Sequence, residues 1–375
     1  MKILQETKLD FDDVLLVPAR SPSASRKDVE LNRSYQFFHS TKEWTGVPIM
    51  AANMDTTGTF EMGSELSKTG CITCLHKHNN ADKIVDYFKY YNIEPYAWIS
   101  VGMPTKNKNK VLDQLHYIEK GVHYSPNICI DIANGYTEKF VDWCRLIRKK
   151  FPESIIMAGN VCTPEMVQEL ILHGGVDIVK VGIGPGSACT TRLKTGVGYP
   201  QLSAIIECAH AAHGLKSGDK KMGLICADGG CRQPADVCKA FAAGADFVML
   251  GGMLAGTDEC EGEWEYHPSP QITRNPYDYV IVDGKHPQSK KKSLKFYGMS
   301  SETAQNKYAG GMAEYKSSEG RVKKVPYKGP VKDVMLDITG GLRSCCAYVG
   351  ATCIKDLPKC AKAVKVNRTH FDKSV

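Results

Sequence analysis

A cysteine carries the clearest chemical signal in this sequence. Cys189 sits in Gly184-Pro185-Gly186-Ser187-Ala188-Cys189-Thr190-Thr191-Arg192, just after the run Val176-Asp177-Ile178-Val179-Lys180-Val181. That run reads as a buried strand, and the glycines and proline behind it as a tight turn. A thiol lifted onto such a turn meets backbone N–H groups, two threonine hydroxyls and an arginine. The thiolate is the nucleophilic form of cysteine, and electropositive surroundings favour it. Free cysteines are mostly buried and inert, and the chain holds 15 of them. The company Cys189 keeps marks it as the candidate nucleophile.

Two more glycine turns follow apolar runs, Asp228-Gly229-Gly230 and Gly251-Gly252. Glycine allows close approach of backbone and positive φ, and successive N–H groups on such turns hold phosphate. Together with Gly182–Ser187 they suit a phosphate-bearing substrate, with Asp228 accepting from ribose hydroxyls. His76-Lys77-His78 and Asp131-Ile132-Ala133-Asn134-Gly135 end two earlier runs. Lys77 could pair with a cofactor phosphate and Asp131 could orient a ring amide, or each could belong to a structural ion pair. Spacing alone does not separate these readings.

Positioning these turns requires strands. Eight apolar, β-branched runs recur: Val47–Asn53, Ile72–His76, Tyr96–Val101, Ile128–Ala133, Ile155–Asn160, Ile178–Gly182, Met222–Ala227 and Phe247–Gly251. Between them, 136–150, 164–173, 200–213 and 234–243 show helical spacing, several opening on a proline suited to the first turn. Eight alternating units predict an α/β fold, a TIM (β/α)8 barrel. A doubly wound sheet would carry GxGxxG after its first strand, and Met50-Ala51-Ala52-Asn53-Met54 has no glycine. The last run ends near Gly252, and a closing helix is expected only from about Val331. The excursion between, 253–330, leaves the catalytic face and reads as a flap or lid. One domain over 1–375 is expected.

Composition fits an ordinary soluble globular chain, 42% hydrophobic and 24% charged. The formal charge of +7 is partly local, at Lys290-Lys291-Lys292 and Lys323-Lys324, and no nucleic-acid module accompanies it. Met1–Glu6 turns charged at once, so no secretory leader is expected. The stretch Ala240–Gly256 is too broken by Asp246 and glycine to span a membrane. Reduced thiols in the cytosol are the simplest account of the cysteines. Cys71 and Cys74 have CxxC spacing but no second ligand pair, so zinc is not expected.

These motifs match a known family. The segments Leu9–Leu16, Ala52–Thr56, His76–His78, Asp131–Tyr136, Met157–Val161, Gly182–Arg192, Asp228–Cys231, Gly298–Ser301 and Ser318–Gly320 resemble the IMP dehydrogenase/GMP reductase family nearly end to end. Thr190-Thr191-Arg192 is similar to the reductases, where dehydrogenases usually show Thr-Gln-Glu. The stretch between His78 and Asp131 has no room for the paired CBS modules most dehydrogenases carry. The resemblance implies NADPH-dependent reductive deamination of GMP to IMP through a covalent cysteine–purine adduct.

It also implies roles. Cys189 would be the nucleophile, with Thr191 and Glu319 delivering the proton to departing ammonia. Glu319 without the resemblance reads as a surface carboxylate. Substrate contacts would be Asp228, Gly229, Gly230, Gly251, Gly252, Gly298, Met299, Ser300, Lys316, Ser317, Ser318 and Gly320. Cofactor contacts would be Lys77, Asp131, Ile132, Ala133, Ile183, Gly184, Met299, Tyr315, Lys316 and Ser344-Cys345-Cys346-Ala347, with Ser25 and Arg26 reaching from a neighbouring subunit of a homotetramer. A monovalent cation, typically potassium, would sit on Gly184, Gly186 and Cys189 with Arg192 nearby. Lys316 departs from the arginine of mammalian relatives, exchanging a planar fork for a point charge, and weaker nucleotide binding is expected. The stretches 216–222 and 261–292 look longer than in those relatives. A dehydrogenase oxidising IMP with NAD would instead need an Arg-Tyr pair on the flap. Arg321 is there without a following tyrosine. A silent nucleotide-binding barrel would need neither Cys189, Thr191 nor Glu319. An FMN-binding oxidase of this barrel class would keep the phosphate turns but has no need of the cysteine loop.

Overall fold

A computed structural model of the chain describes residues 1, 3–22, 25–91, 93–104, 107–267 and 290–367. Eight parallel strands close into a barrel: β1 (Ile49–Ala51), β2 (Ile72–Leu75), β3 (Ala97–Val101), β4 (Ile128–Asp131), β5 (Ile156–Val161), β6 (Ile178–Val181), β7 (Leu224–Asp228) and β8 (Phe247–Leu250). Each overlaps one predicted run, and β8 pairs back onto β1. The runs lack polar alternation because parallel strands are covered on both faces. Met50, Cys74, Trp98, Cys129, Met157, Ile178, Cys226 and Phe247 fill the barrel interior. Neighbours of opposite parity, such as Val179, Val181 and Ile225, pack against the helices. Cys71 packs on the helix side and Cys74 inside, so the pair cannot share one ion.

The sequence reading missed how the barrel is stoppered. A hairpin of Arg33–Gln36 and Glu43–Gly46 lies across the N-terminal mouth. Its Tyr35 and Trp44 rings sit 4.9 and 5.3 Å from Phe247. This hairpin leaves the C-terminal strand ends as the open face.

The surrounding helices are α1 (Phe60–Ser67), α2 (Ala81–Tyr91), α3 (Lys108–Val122), α4 (Glu138–Lys150), α5 (Pro164–Leu172), the short α6 (Thr191–Thr195), α7 (Gln201–Gly214), α8 (Pro234–Ala242), α9 (Glu302–Ala309) and α10 (Val331–Val349). Pro164 and Pro234 occupy first-turn positions, where their fixed φ and missing N–H cost nothing. Pro200 differs from expectation: it is the N-cap of α7. Residues 216–222 form a small hairpin, Lys216–Ser217 against Lys220–Lys221. Among the described residues no helix is long and apolar enough to cross a membrane.

The described residues of the 253–330 excursion form more than a loop. They build an antiparallel sheet of β9 (Trp264–Tyr266), β10 (Lys291–Tyr297) and β11 (Val322–Pro326), with α9 between the last two strands in the chain. Phe296 of β10 packs with Ala188 and Ala255, which seats the sheet against the cysteine loop. Of the 261–292 stretch, residues 268–289 lie outside the described residues.

Candidate active site

β6 delivers the cysteine loop to the open face. At its end Gly182 takes φ +150, and a Cβ there would lie 2.2 Å from the Asp228 carbonyl. Only glycine lets the loop leave the strand so close to β7. The Cys189 N–H then donates to the Gly186 carbonyl at 3.0 Å, and the chain enters α6 at Thr191.

The excursion is stitched onto this loop by main-chain contacts. Cys189 and Gly320 form an antiparallel bridge. Thr190 N–H donates to the Glu319 carbonyl at 2.8 Å, and Arg321 N–H to the Ala188 carbonyl at 2.9 Å. That register sets Glu319 opposite Thr191. The Thr191 hydroxyl donates to Glu319 Oε2 at 2.7 Å, and its Oγ1 lies 3.2 Å from the Cys189 Sγ. Since the hydroxyl proton goes to the carboxylate, Oγ1 is left as acceptor for the thiol. A continuous line runs from sulfur through hydroxyl to carboxylate.

Cys189 and Glu319 open on a cavity of about 220 Å³. Asp228, Gly229, Gly230, Gly251, Gly252, Gly298, Met299 and Ser300 line it, together with Gly186 and Ser187, so the three glycine turns and the Gly298–Ser300 loop meet at one cavity. Gly229 and Gly230 are both left-handed, at φ +85 and +90. Past Ser187, Cys231 and Gly252 the cleft continues into a groove of about 550 Å³ carrying Arg232 and Lys328. Lys328 donates to the Gly252 and Met253 carbonyls at 3.2 and 2.8 Å, steadying that turn.

Asp131 also lines the cavity, facing the cysteine from β4. Its carboxylate accepts from Lys180 at 2.5 Å, and the same ammonium lies 3.2 Å from Asp228. Burial pushes the Asp131 carboxyl up, but the Lys180 charge and hydrogen bond, helped by Lys77, hold it below the usual range. Asn160 donates to Asp228 at 2.8 Å and to the Gly182 carbonyl at 2.8 Å. Its Oδ1 is buried.

The excursion is also tied down on the far rim. Asp55 Oδ2 accepts from Tyr297 at 2.6 Å, Lys307 at 2.9 Å and Tyr308 at 2.8 Å. Burial raises the Asp55 carboxyl, and these donors bring it below its ordinary value. The Tyr308 ring stacks on His78 at 3.7 Å.

Several expected contacts lie elsewhere. Lys316 and Ser317 are exposed and outside the cavity lining, and Tyr315 is 86% exposed with its ring 5.9 Å from the Lys316 ammonium. Ser318 lies outside the cavity lining, its hydroxyl accepting from Glu302 N–H and donating to the Gly320 carbonyl, and Gly320 bridges to Cys189. Ile183 is buried and its carbonyl accepts from Arg192, while Ala133 is exposed and the Ile132 N–H is bound to the Gly159 carbonyl. Arg26 and Ser344 share a separate groove with Lys27 and Arg343, and Ser25 caps the 3₁₀ turn that begins at Arg26. Cys345 and Ala347 are half-buried, but Cys346 faces the core at 0% exposure, so its side chain is not available to a ligand. Arg192 places its guanidinium on the Ile183 and Tyr199 carbonyls and on Asp10, and its own carbonyl accepts from Gly196.

The sequence reading named neither Lys180 nor Asn160 among the site residues. The signal for Lys180 was parity: Ile178 points into the barrel, so Lys180 does too, at the end where a charge has no apolar use.

Residues 8–374 match the model of the IMP dehydrogenase / GMP reductase domain. The chain is 49% identical to human GMP reductase 1 over 369 residues, 98% of each chain. It is 48% identical to the GMP reductases of Ascaris suum and Edwardsiella ictaluri, over 367 residues in each case; these cover 98% of this chain and 95% and 97% of the relatives. With a closed parallel barrel and a cysteine loop at its open mouth, the chain belongs to the IMP dehydrogenase/GMP reductase family.

Proposed function

We propose that this chain reduces GMP to IMP and ammonia with NADPH. The observation that carries the reading is the line Cys189–Thr191–Glu319, at 3.2 and 2.7 Å, on a cavity walled by phosphate-type glycine turns. A binding module has no use for such a relay. The near-full-length likeness to GMP reductases supports the same choice over oxidation of IMP.

Cys189 sulfur bonds to carbon 2 of the guanine, splitting one hard displacement into two steps. The proton it sheds passes through the Thr191 hydroxyl to Glu319 and on to the amine, and the carbon–nitrogen bond breaks as ammonia leaves. Unprotonated amide would be a far poorer leaving group, which is what a positioned acid remedies. The nicotinamide cofactor supplies a hydride to carbon 2 when bound. The carbon–sulfur bond then breaks, returning the thiolate and releasing IMP. Asp228 accepts from the ribose, and Gly229, Gly230, Gly251 and Gly252 offer N–H groups to the phosphate.

The residues present fit a nicotinamide nucleotide. Asp131 stands across the cavity from Cys189 as an acceptor for a ring amide, and the charge of Lys77 reaches it. Arg26, Lys27, Arg343 and Ser344 would serve the adenosine phosphate end, in a homotetramer where that groove meets a neighbouring subunit. The carbonyls of Gly184, Gly186 and Cys189 would serve a potassium ion, a hard cation preferring oxygen. Arg192 stands beside that site. The whole chain acts as one unit, with 253–330 as its lid.

Purified protein given GMP and NADPH should consume the cofactor with one ammonia and one IMP formed per turnover. No turnover of GMP, together with reduction of NAD by IMP, overturns the reading.

A further inference from the structure

Lys180 takes no part in the chemistry proposed above, yet it is 1% exposed at the centre of the open mouth. Its ammonium meets groups from three other strand ends. Asp131 Oδ1 of β4 lies at 2.5 Å, Asp228 Oδ2 of β7 at 3.2 Å, and Asn53 Oδ1, just past β1, at 3.4 Å. An ammonium has three N–H donors and no acceptor, so the three partners use it fully. β5 makes room for the stem: a Cβ on Gly159 would lie 2.5 Å from that of Lys180. A buried lysine without carboxylates would lose its proton. Here burial lowers its affinity for the proton, and Asp131 and Asp228 more than restore it.

The two carboxylates differ in task. Both line the cavity, one assigned to the cofactor and the other to the substrate ribose. Their side chains are 28% and 21% exposed, so each still presents carboxylate to the cavity. The other groups facing the cluster are Lys77, whose charge reaches Asp131, the Asn160 amide on Asp228, and the interior thiols Cys74, Cys129 and Cys226.

We infer, resting on the nucleotide reading of this cavity, that Lys180 is a positioning residue common to both ligand sites: one buried ammonium holds Asp131 and Asp228 as charged acceptors at a fixed separation. Two carboxylates crowded together without that cation cannot both stay ionised in a half-buried mouth. Removing it converts one of them to a neutral acid that donates where an acceptor is needed.

The test is Lys180→Met, with NADPH binding read by nicotinamide fluorescence and IMP binding by calorimetry, each from about pH 5.5 to 8. The readout is the affinity ratio of variant to wild type, which cancels the titration of the nucleotide phosphates. That ratio for NADPH should fall at least about tenfold further at the acid end than at the alkaline end, the effect of a carboxyl raised by roughly 2.5 units or more above an ordinary aspartate, so that it titrates inside this range. Lys180→Met combined with Asp131→Asn should lose this acid-side fall. A uniform loss at all pH values, as from a merely structural role, overturns the inference. If Lys180→Met does not fold, wild-type protein with carboxyl-labelled aspartate decides by NMR, the Asp131 signal being assigned with Asp131→Asn. Asp131 should titrate below an ordinary aspartate, and titration at or above the ordinary aspartate value overturns the inference. Wild type that binds neither IMP nor NADPH sinks the nucleotide reading instead, and the labelled carboxyl still decides the part of Lys180 without any ligand.

Discussion

β6 has a buried ion cluster at each end, and the two are built to opposite purposes. Asp177, just before the strand, is 1% exposed. One oxygen accepts from the His39 and Ser40 N–H groups at 3.2 Å each, the other from Ile156 N–H at 2.9 Å and from Arg148. Arg148 in turn donates to the Gly175, Pro152 and Ser154 carbonyls. Every strong direction is taken, and the cluster fastens the stoppered end of the barrel. Lys180, at the other end, saturates itself while leaving its carboxylates partly exposed at a cavity. Burial and charge alone do not mark a functional ion pair; acceptors left over at a surface do.

The largest effect at the open end should come from Cys189→Ala. Turnover is expected to fall below detection while IMP still binds and the melting temperature stays within about 2 °C, measured by ammonia release, calorimetry and thermal denaturation. An active alanine variant would refute the covalent route. Glu319→Gln keeps the shape and loses the relay, so kcat should drop by roughly 10²–10⁴ with GMP affinity little changed. Equal losses in both would mean the carboxylate merely shapes the pocket.

Arg148→Met probes the closed end. It strands a buried carboxylate and should remove about 3–5 kcal/mol of stability, read by denaturant unfolding, while the folded fraction keeps wild-type KM. A selective change in KM would blur the contrast between the two ends. The smallest effect concerns His76 beside Lys77. Burial depresses its pKa to about 4, so the folded state resists a proton that the unfolded chain takes up near 6.5. Its contribution is intact above pH 6.5 and is lost as pH falls from about 6.5 to about 4. His76→Asn should flatten that acid-side decline in stability, and an unchanged slope would assign it to other groups.

The barrel was legible because strands covered on both faces leave uninterrupted apolar runs, and Pro164 and Pro234 announce their helices. α3 was less so: Leu112, Leu115 and Ile118 are its buried residues in fifteen, and its Asn107 cap, which accepts from Asn109 and Lys110 N–H, was the overlooked signal. The β10–β11 pairing joins Ser293 to Pro326 across thirty-odd residues, a register no local pattern encodes. Cys189 and its turn declared themselves through chemistry. Glu319 could be assigned only by likeness, since its partner Thr191 lies 128 positions away. Lys180 went unread because one lysine in a run of aliphatics looks like noise until the barrel gives it an inside.

The bridge from Cys189 to Gly320, with its flanking main-chain bonds, has a consequence for how this protein can vary. A seam sewn from peptide groups does not depend on which side chains border it. Tyr315, Lys316 and Ser317 can therefore drift among relatives while the acid stays registered on its hydroxyl, and natural diversity should gather in the surface just upstream of the seam while the seam itself stays put.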